Sequence, residues 1–371
     1  EISECLVGSE MCIRDSAGEA QAQSKPNVLI IYTDDMGAGD VSFLNNGWVK
    51  TPNIDKLASG GLIVTNYYSS SPVSSPSRVG LTTGRFPTEM GINCYLQTRK
   101  GNAACEQFDY LDASVPTMAK VMKSAGYTTG HFGKWHMGGG RDVIDAPQIT
   151  EYGFDEYIST WESPNPDPVI TDSAWIWSRT DQVKRWDRTA YFVDKTLDFL
   201  KRHKGEPCFV NLWPDDMHTP WVPSQKTMDS ERTSWTTPPN FKEVLTEYDK
   251  QIGRLMEGLT KLGLEKNTIV IFTSDNGPAP SFQQMRTNSL LGVKCSLYEG
   301  GIRMPFAIHW PEKMKAGGIN DSSIVCAVDL LPSLCALTGA KLPLDMELSG
   351  EDMSRALLGC LLYTSDAADE L

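Results

Sequence analysis

Two pairs of oxygen-bearing residues stand directly behind two apolar runs. Asp34 and Asp35 follow Val28–Tyr32 (VLIIY), and Asp275 and Asn276 come just after Thr268–Thr273 (TIVIFT). Carboxylate and amide oxygens with no histidine or thiolate among them suit a hard cation, calcium first and magnesium second. Adjacent aspartates are also a common turn or helix cap, and Asn-Gly a common turn, so the residues alone leave both readings open. A third cluster is Ser74-Ser75-Pro76-Ser77-Arg78, running on through Val79–Arg85 (VGLTTGR). Read plainly, it is a Ser/Pro loop capping a helix through Ser74 or Ser77. Lys134 and His136 are two residues apart, a spacing that places both on one face of a strand. Of the five histidines, His131, His203 and His309 read as structural or surface groups.

These residues need a scaffold that ends several strands at one place. Val28–Tyr32 and Thr268–Thr273 are continuous apolar, β-rich runs, which suit strands buried on both faces of a parallel sheet. Cys208–Trp213 and Leu62–Tyr68 also read as strands. Thr51-Pro52 opens a helix with Thr as N-cap, closed by Gly60-Gly61. Pro116 starts another, with Met118, Val121, Met122 and Ala125 at helical spacing and Gly126 at its end. Residues 187–203 place Ala190, Val193, Leu197 and Leu200 on one face, and 240–262 do the same with Val244, Tyr248, Ile252, Leu255, Leu259 and Leu262. The helix after the Ser/Pro loop runs from Arg78 to Thr83. Strands alternating with helices predict an α/β fold with a central, mainly parallel sheet flanked by helices. Ligands of such folds sit beyond the carboxyl ends of the strands, where the polar residues gather. Residues 141–186 lack periodicity and read as an excursion over the sheet edge.

Composition removes several function classes. The 371 residues carry a net charge of −13, which offers a nucleic-acid backbone no general attraction. No apolar run is long enough to span a bilayer. The nine cysteines form no CxxC or CxxxC pair, so no structural zinc site is expected. Disulfides stay open, with Cys94 and Cys105 a nearby pair in the body of the chain.

The whole pattern resembles the type I, formylglycine-dependent sulfatases of the alkaline-phosphatase-like superfamily, in their serine form. The Ser74–Arg85 run is similar to the family signature, in which a Cys or Ser two positions before Pro and four before Arg is oxidised after synthesis. Lys25–Gly39 (KPNVLIIYTDDMGAG) resembles the opening strand and metal loop, and Thr51–Leu57 (TPNIDKL) the next helix. Gly126–Gly138 (GYTTGHFGKWHMG) carries the Gly-Lys-Trp-His element and Asp216–Pro220 (DMHTP) the His-Thr-Pro loop. Thr273–Pro278 (TSDNGP) is like the second metal loop and Lys294–Pro305 (KCSLYEGGIRMP) the distal lysine element. The likeness covers about residues 25–355.

This resemblance implies a sulfuric ester hydrolase acting on a sulfated carbohydrate or an aryl sulfate. Asp34, Asp35, Asp275 and Asn276 would hold one divalent cation, and Ser74 would become formylglycine. Arg78, Lys134, His136, His218 and Lys294 would line the sulfate pocket, with His218, aided by Lys294, protonating the leaving oxygen. In the family mechanism one hydroxyl of the hydrated aldehyde attacks sulfur, a covalent sulfate intermediate forms, and the second hydroxyl expels sulfate. An unmodified serine has no second hydroxyl and stalls after one sulfation. A serine Cβ–H is harder to oxidise than a thiol-bearing carbon, so a bacterial radical-type maturase is the implied partner. Fixed cations around a charge-accumulating transition state fit that chemistry. The alternatives are a formylglycine phosphonate or phosphate ester hydrolase on the same fold, and a non-catalytic sulfated-glycan binder should Ser74 remain unoxidised.

The ends read differently from the body. Residues 1–16 and 360–371 resemble translated sequencing-adapter tracts, with disordered native tails as the alternative. Residues 17–24, which contain Ala20-Gln21-Ala22, read as the end of a signal peptide or as an Ala-rich linker, and the former implies a periplasmic or secreted protein. The catalytic domain is expected over 25–359, with a smaller C-terminal subdomain truncated. Trp161, Trp175 and Trp177 would either stack on sugar rings or pack internally.

Overall fold

The computed structural model describes residues 25–45, 47–171, 178–231 and 235–360. The two tracts expected to be foreign, apart from Cys360, the segment 17–24, and Trp175 and Trp177 lie outside the described residues.

The strands are β1 (Asn27–Thr33), β2 (Leu62–Val64), β3 (Tyr67–Tyr68), β4 (Thr128–Gly133), β5 (Glu156–Ser159), β6 (Cys208–Trp213), β7 (Thr268–Ser274), β8 (Ala307–His309), β9 (Gly318–Asn320) and β10 (Val325–Cys326). Eight of them form one mixed sheet in the order β5-β4-β6-β1-β7-β8-β2-β9. From β5 to β7 every pairing is parallel, while β8 runs antiparallel to both β7 and β2. The mainly parallel α/β architecture is therefore the one expected, with an antiparallel insertion that the sequence pattern did not announce.

Alternation along β1 splits the core in two. Val28, Ile30 and Tyr32 pack on one side with Val79, Leu81, Met118, Val121, Met122 and Leu334. Leu29 and Ile31 pack on the other with Phe192, Val193, Leu200, Tyr248, Ile252 and Leu255. With both faces covered, the central strands must be apolar throughout, and all of β1, β6 and β7 is buried. The covering helices are α1 (Pro52–Ser59), α2 (Ser74–Thr83), α3 (Met118–Ser124), α4 (Arg188–Arg202), α5 (Pro238–Leu262) and α6 (Leu330–Thr338).

Three expectations need correction. Leu62–Tyr68 is not one strand: it breaks after Val64, and Tyr67–Tyr68 pairs with β10 in a separate two-stranded sheet. Helix α2 begins at Ser74 rather than Arg78, so the Ser/Pro run forms its first turn instead of a preceding loop. Thr51 does not cap α1 with its side chain. The Asp249 carboxylate of α5 does so instead, accepting from the Asn53 amide at 3.0 Å and the Ile54 amide at 2.9 Å. Thr51 Oγ1 accepts from the Ser42 amide at 2.8 Å. The excursion over 141–186 is more than a cover, because β5 within it is the edge strand of the sheet.

Register decides what meets at the sheet end. Thr33 pairs with Ser274, and Gly133 with Trp213. The residues after β1, β7, β4 and β6 are thereby delivered at the same edge, which puts Asp34-Asp35, Asp275-Asn276, Lys134 and the Asp215–His218 loop side by side.

Candidate active site

Asp34, Asp35 and Asp275 each offer an oxygen to a group in which all three lie within 4.8 Å of one another, and all are buried. Asp35 has φ 59°, a left-handed conformation uncommon outside Gly, Asn and Asp. That turn lets its amide donate to Asp275 Oδ1 at 3.0 Å, while the Met36 amide donates to Ser274 Oγ at 3.0 Å. Arg286, buried between Trp221 and Phe241, donates to the Asp35 carbonyl at 2.7 Å and to Asp40 Oδ2 at 2.8 Å, backing the loop from behind. Asn276 Nδ2 donates to Asp35 Oδ1 at 2.7 Å. Gly277 follows because the backbone of Gly300 passes so close that a Cβ there would lie 2.0 Å from its carbonyl oxygen.

Ser74 opens α2 directly against this cluster. Its Oγ lies 2.6 Å from Asp275 Oδ2, 3.0 Å from Asp34 Oδ1 and 3.4 Å from Asn276 Oδ1. Arg78, one helical turn on and so on the same face, reaches Asp275 Oδ2 at 2.7 Å and Asp34 Oδ1 at 3.4 Å. The Tyr32 and Trp213 rings flank its guanidinium, which also donates to the Lys134 carbonyl at 3.2 Å.

The remaining basic side chains arrive from three loops. Lys134 Nζ donates to Asp34 Oδ2 at 2.9 Å, and Lys294 Nζ lies 2.7 Å from Asp35 Oδ1. His218 Nδ1 bonds the Thr219 carbonyl at 2.7 Å, so that nitrogen carries the proton and Nε2 faces Asp35 Oδ2 at 3.7 Å. His136, itself at φ 53°, uses Nε2 on the Leu96 carbonyl at 3.1 Å. The strand alternation suggested for Lys134 and His136 does not apply, since both follow β4 rather than lie in it.

Electrostatics separate the three carboxyls. Burial alone would raise Asp34, but Lys134, His218, Arg78 and Lys294 outweigh it and hold the group well below its usual range. Asp35 is likewise lowered, burial being overcome by Lys294 and His218. Asp275 goes the other way: burial, with Asp34 and Asp35 beside it, pushes it up to about 6 against the pull of Arg78. Three carboxyls gathered around oxygen acceptors, one of them unwilling to ionise beside the others, are the surroundings a divalent cation relieves. The donor set, all carboxylate and amide oxygen, fits such an ion. His136 is depressed to about 3 by burial, and His218 is lowered by burial and then Lys294.

The structure thus brings every sequence-nominated site residue to one sheet edge. Sequence reasoning missed several neighbours. Glu162 is buried 3.5 Å from Lys134 Nζ, 3.4 Å from His136 Nε2 and 3.3 Å from Arg141 Nη2. Burial raises its carboxyl, but His136, Lys134 and then His218 outweigh it and hold the group at about 2. Asp215 is gripped by Arg185 at 2.7 Å and Arg188 at 2.9 Å, and Arg185 also donates to the His218 carbonyl at 3.2 Å. With Asp34, Lys134, Thr160, Trp161 and His218, Glu162 and Asp215 line a small pocket. Glu162 sits in the patternless 141–186 stretch, where no periodicity flagged it; Asp215 adjoins the His-Thr-Pro loop, a nearness that would have been the signal. Trp161 is buried with the Arg141 guanidinium 4.8 Å from its ring, so it packs internally while lining that pocket. His131 lies in an aromatic box of Trp135, Phe154 and Trp213.

A mainly parallel sheet with this site beyond its strand ends defines an alkaline-phosphatase-like hydrolase of anionic esters. The family model for sulfatases matches residues 26–340. The chain is 29% identical to an N-acetylgalactosamine-6-O-sulfatase of Bacteroides thetaiotaomicron, across 95% of this chain and 80% of that protein. It is 31% identical to arylsulfatase A of Bos taurus, across 93% and 70%. A solved structure described as Ps i-CgsB in complex with k-i-k-neocarrahexaose superposes with a TM-score of 0.73 at 27% identity, covering 90% of this chain and 76% of that one. The chain belongs to the sulfatase family and is an enzyme that hydrolyses sulfate esters.

Proposed function

We propose that the protein removes sulfate from a sulfated carbohydrate, with Ser74, once oxidised to formylglycine, at the reacting centre. The observation that carries this reading is the placement of Ser74 Oγ within 2.6–3.4 Å of oxygens from Asp34, Asp275 and Asn276, beside Arg78. Asp34, Asp35, Asp275 and Asn276 would hold a divalent cation, calcium before magnesium, and when bound it supplies Lewis-acid stabilisation of the oxygens around sulfur. The hydrated aldehyde supplies two hydroxyls, one to attack and one to release the sulfate.

The chain's own side chains do the rest. Arg78 and Lys134 are buried, fixed positive charges that balance the anionic ester without reorganising. His136 is fixed by its bond to Leu96 and helps enclose the sulfate. His218 Nε2 faces the site because Nδ1 is committed to Thr219, so in the doubly protonated ring it is the nitrogen from which a proton passes to the departing sugar oxygen, with the Lys294 ammonium beside it. Glu162 keeps Lys134 and His136 in place from the pocket wall.

The names of the relatives select the first substrates to try: saccharides carrying 6-sulfated N-acetylgalactosamine, then other sulfated sugars. An exported protein matured by a radical-type enzyme, with a catalytic domain over residues 25–359, completes the proposal. Among the described residues no helix is long and apolar enough to cross a membrane. The deciding experiment is desulfation of a sulfated saccharide panel by protein co-expressed with a maturase, with and without chelator. Turnover abolished by chelator is expected. Faster cleavage of aryl phosphate than of aryl sulfate overturns the sulfatase reading, and glycan binding without turnover of any ester, in protein whose residue 74 is oxidised, makes it a binder.

A further inference from the structure

The segment from Ile92 to Gln107 holds two atoms of the site without contributing a side chain to it. The Leu96 amide donates to Ser75 Oγ at 2.9 Å, next to Ser74, and the Leu96 carbonyl accepts from His136 Nε2 at 3.1 Å. Two limbs of this segment lie side by side. Gln107 Oε1 accepts from the Asn93 and Cys94 amides at 3.0 and 2.7 Å, its Nε2 donates to the Tyr95 carbonyl at 3.3 Å, and Asn93 Nδ2 donates to the Glu106 carbonyl at 3.2 Å. That pairing sets Cys94 beside Cys105, close enough for each thiol to act on the other's ionisation. Gln97 Nε2 reaches Cys105 Sγ at 3.8 Å. Both thiols are free and half-buried.

We propose that Cys94 and Cys105 are a disulfide-forming pair, and that the bond clamps the Leu96 turn against Ser75 and His136. The oxidant is a disulfide, such as oxidised glutathione or a dithiol-oxidising protein. The thiolate of one cysteine attacks it, forming a mixed disulfide and releasing one thiol. The second cysteine then attacks the mixed disulfide, so that two S–H bonds are lost, one S–S bond forms, and the oxidant leaves as two thiols. The loop enclosed is short, yet closing it removes a substantial part of the chain entropy of the unfolded state, and in the folded state the bond orders the segment locally. The clamp's value to catalysis rests on the function proposed above; the bond itself does not.

The test uses the full chain, equilibrated with oxidised glutathione, quenched in acid, alkylated and digested without reduction. One linked peptide pair joining Cys94 to Cys105, lighter by about two mass units than the two thiols, is expected. In Cys105→Ser, Cys94 should instead retain a glutathione adduct. Separate alkylation of both cysteines in the wild-type chain, or a bond from Cys94 to the exposed Cys295, overturns the pairing. Hydrogen exchange reads the clamp: amides from Asn93 to Thr98 should exchange about tenfold more slowly in the oxidised form. Equal exchange in both forms overturns the clamp. These readouts need no turnover, so a protein that forms the bond and slows exchange yet desulfates nothing would fail the proposed function alone.

Discussion

Ser74 Oγ and Asp275 Oδ2 are 2.6 Å apart, although the residues are separated by most of the chain. Helix α2 begins at Ser74 and β7 ends at Ser274, so a helix start and a strand end are butted together, and Arg78 grips the same carboxylate oxygen. The first consequence concerns Ser74 itself. Ser74→Ala should lose at least a thousandfold in kcat against the matured protein, with a melting temperature close to wild type, because only a reacting group is removed. Activity equal to that of matured protein in a sulfate-release assay would remove Ser74 from the mechanism.

The oxygen cluster should behave as a cation site in unfolding as well as in catalysis. Calcium at a hundred times its Kd should stabilise the fold by about 2.7 kcal/mol, seen as a higher melting temperature that a chelator reverses. Asp275→Ala should abolish the calcium-dependent increment. A chelator-insensitive melting curve in the wild-type protein would contradict the cation assignment.

Glu162 offers a test of a residue that touches no predicted ligand of the metal. Its carboxylate holds Lys134 and His136 from the pocket wall, so Glu162→Ala frees two groups that surround the sulfate. KM should rise about tenfold, equivalent to 1.4 kcal/mol, with a smaller change in kcat. Steady-state kinetics showing an unchanged KM would leave Glu162 with no positioning role.

His131 predicts a pH dependence of stability. Burial, and then the charge of Arg78, lowers its pKa from 6.5 to about 3. Below pH 6.5 the unfolded chain binds a proton at this ring that the folded chain refuses, so the stability contributed above that pH is lost as pH falls towards 3. The slope approaches about 1.4 kcal/mol per pH unit within that window. His131→Phe should flatten the acid limb of stability against pH, measured by denaturant unfolding at intervals from pH 7 to 4; an identical limb would show that the ring does not titrate as argued.

Asp249→Ala should cost about 2 kcal/mol, since the Asn53 and Ile54 amides at the start of α1 lose their acceptor. Urea unfolding with an unchanged m-value measures it. A loss below about half a kcal/mol would mean that water replaces the carboxylate.

Much of the scaffold was legible because apolar runs and helical spacing are local signals. The strands ending at Thr33 and near Ser274, and the long helix over 238–262, follow from them. Strand β4 (TTGHFG) was not legible, since glycine and polar residues break any apolar run, and its place is set by pairing with β6 and β5. The break after Val64 was equally hidden, because Tyr67 and Tyr68 find their partner in Val325 and Cys326 far along the chain. Glu162 escaped notice for the same reason: its role exists only once Lys134 and His136 are folded against it.

From residue types alone came the inventory of the site: oxygen donors behind two buried strands, a serine one helical turn before an arginine, and scattered cations whose order along the chain resembles the sulfatases. Only the tertiary structure decided how these charges are satisfied, which carboxyl is reluctant to ionise, and which backbone atoms hold the histidines. Residue identity and short-range periodicity are carried by neighbouring positions. Charge balance depends on distances between groups hundreds of residues apart, and parallel register is what sets those distances.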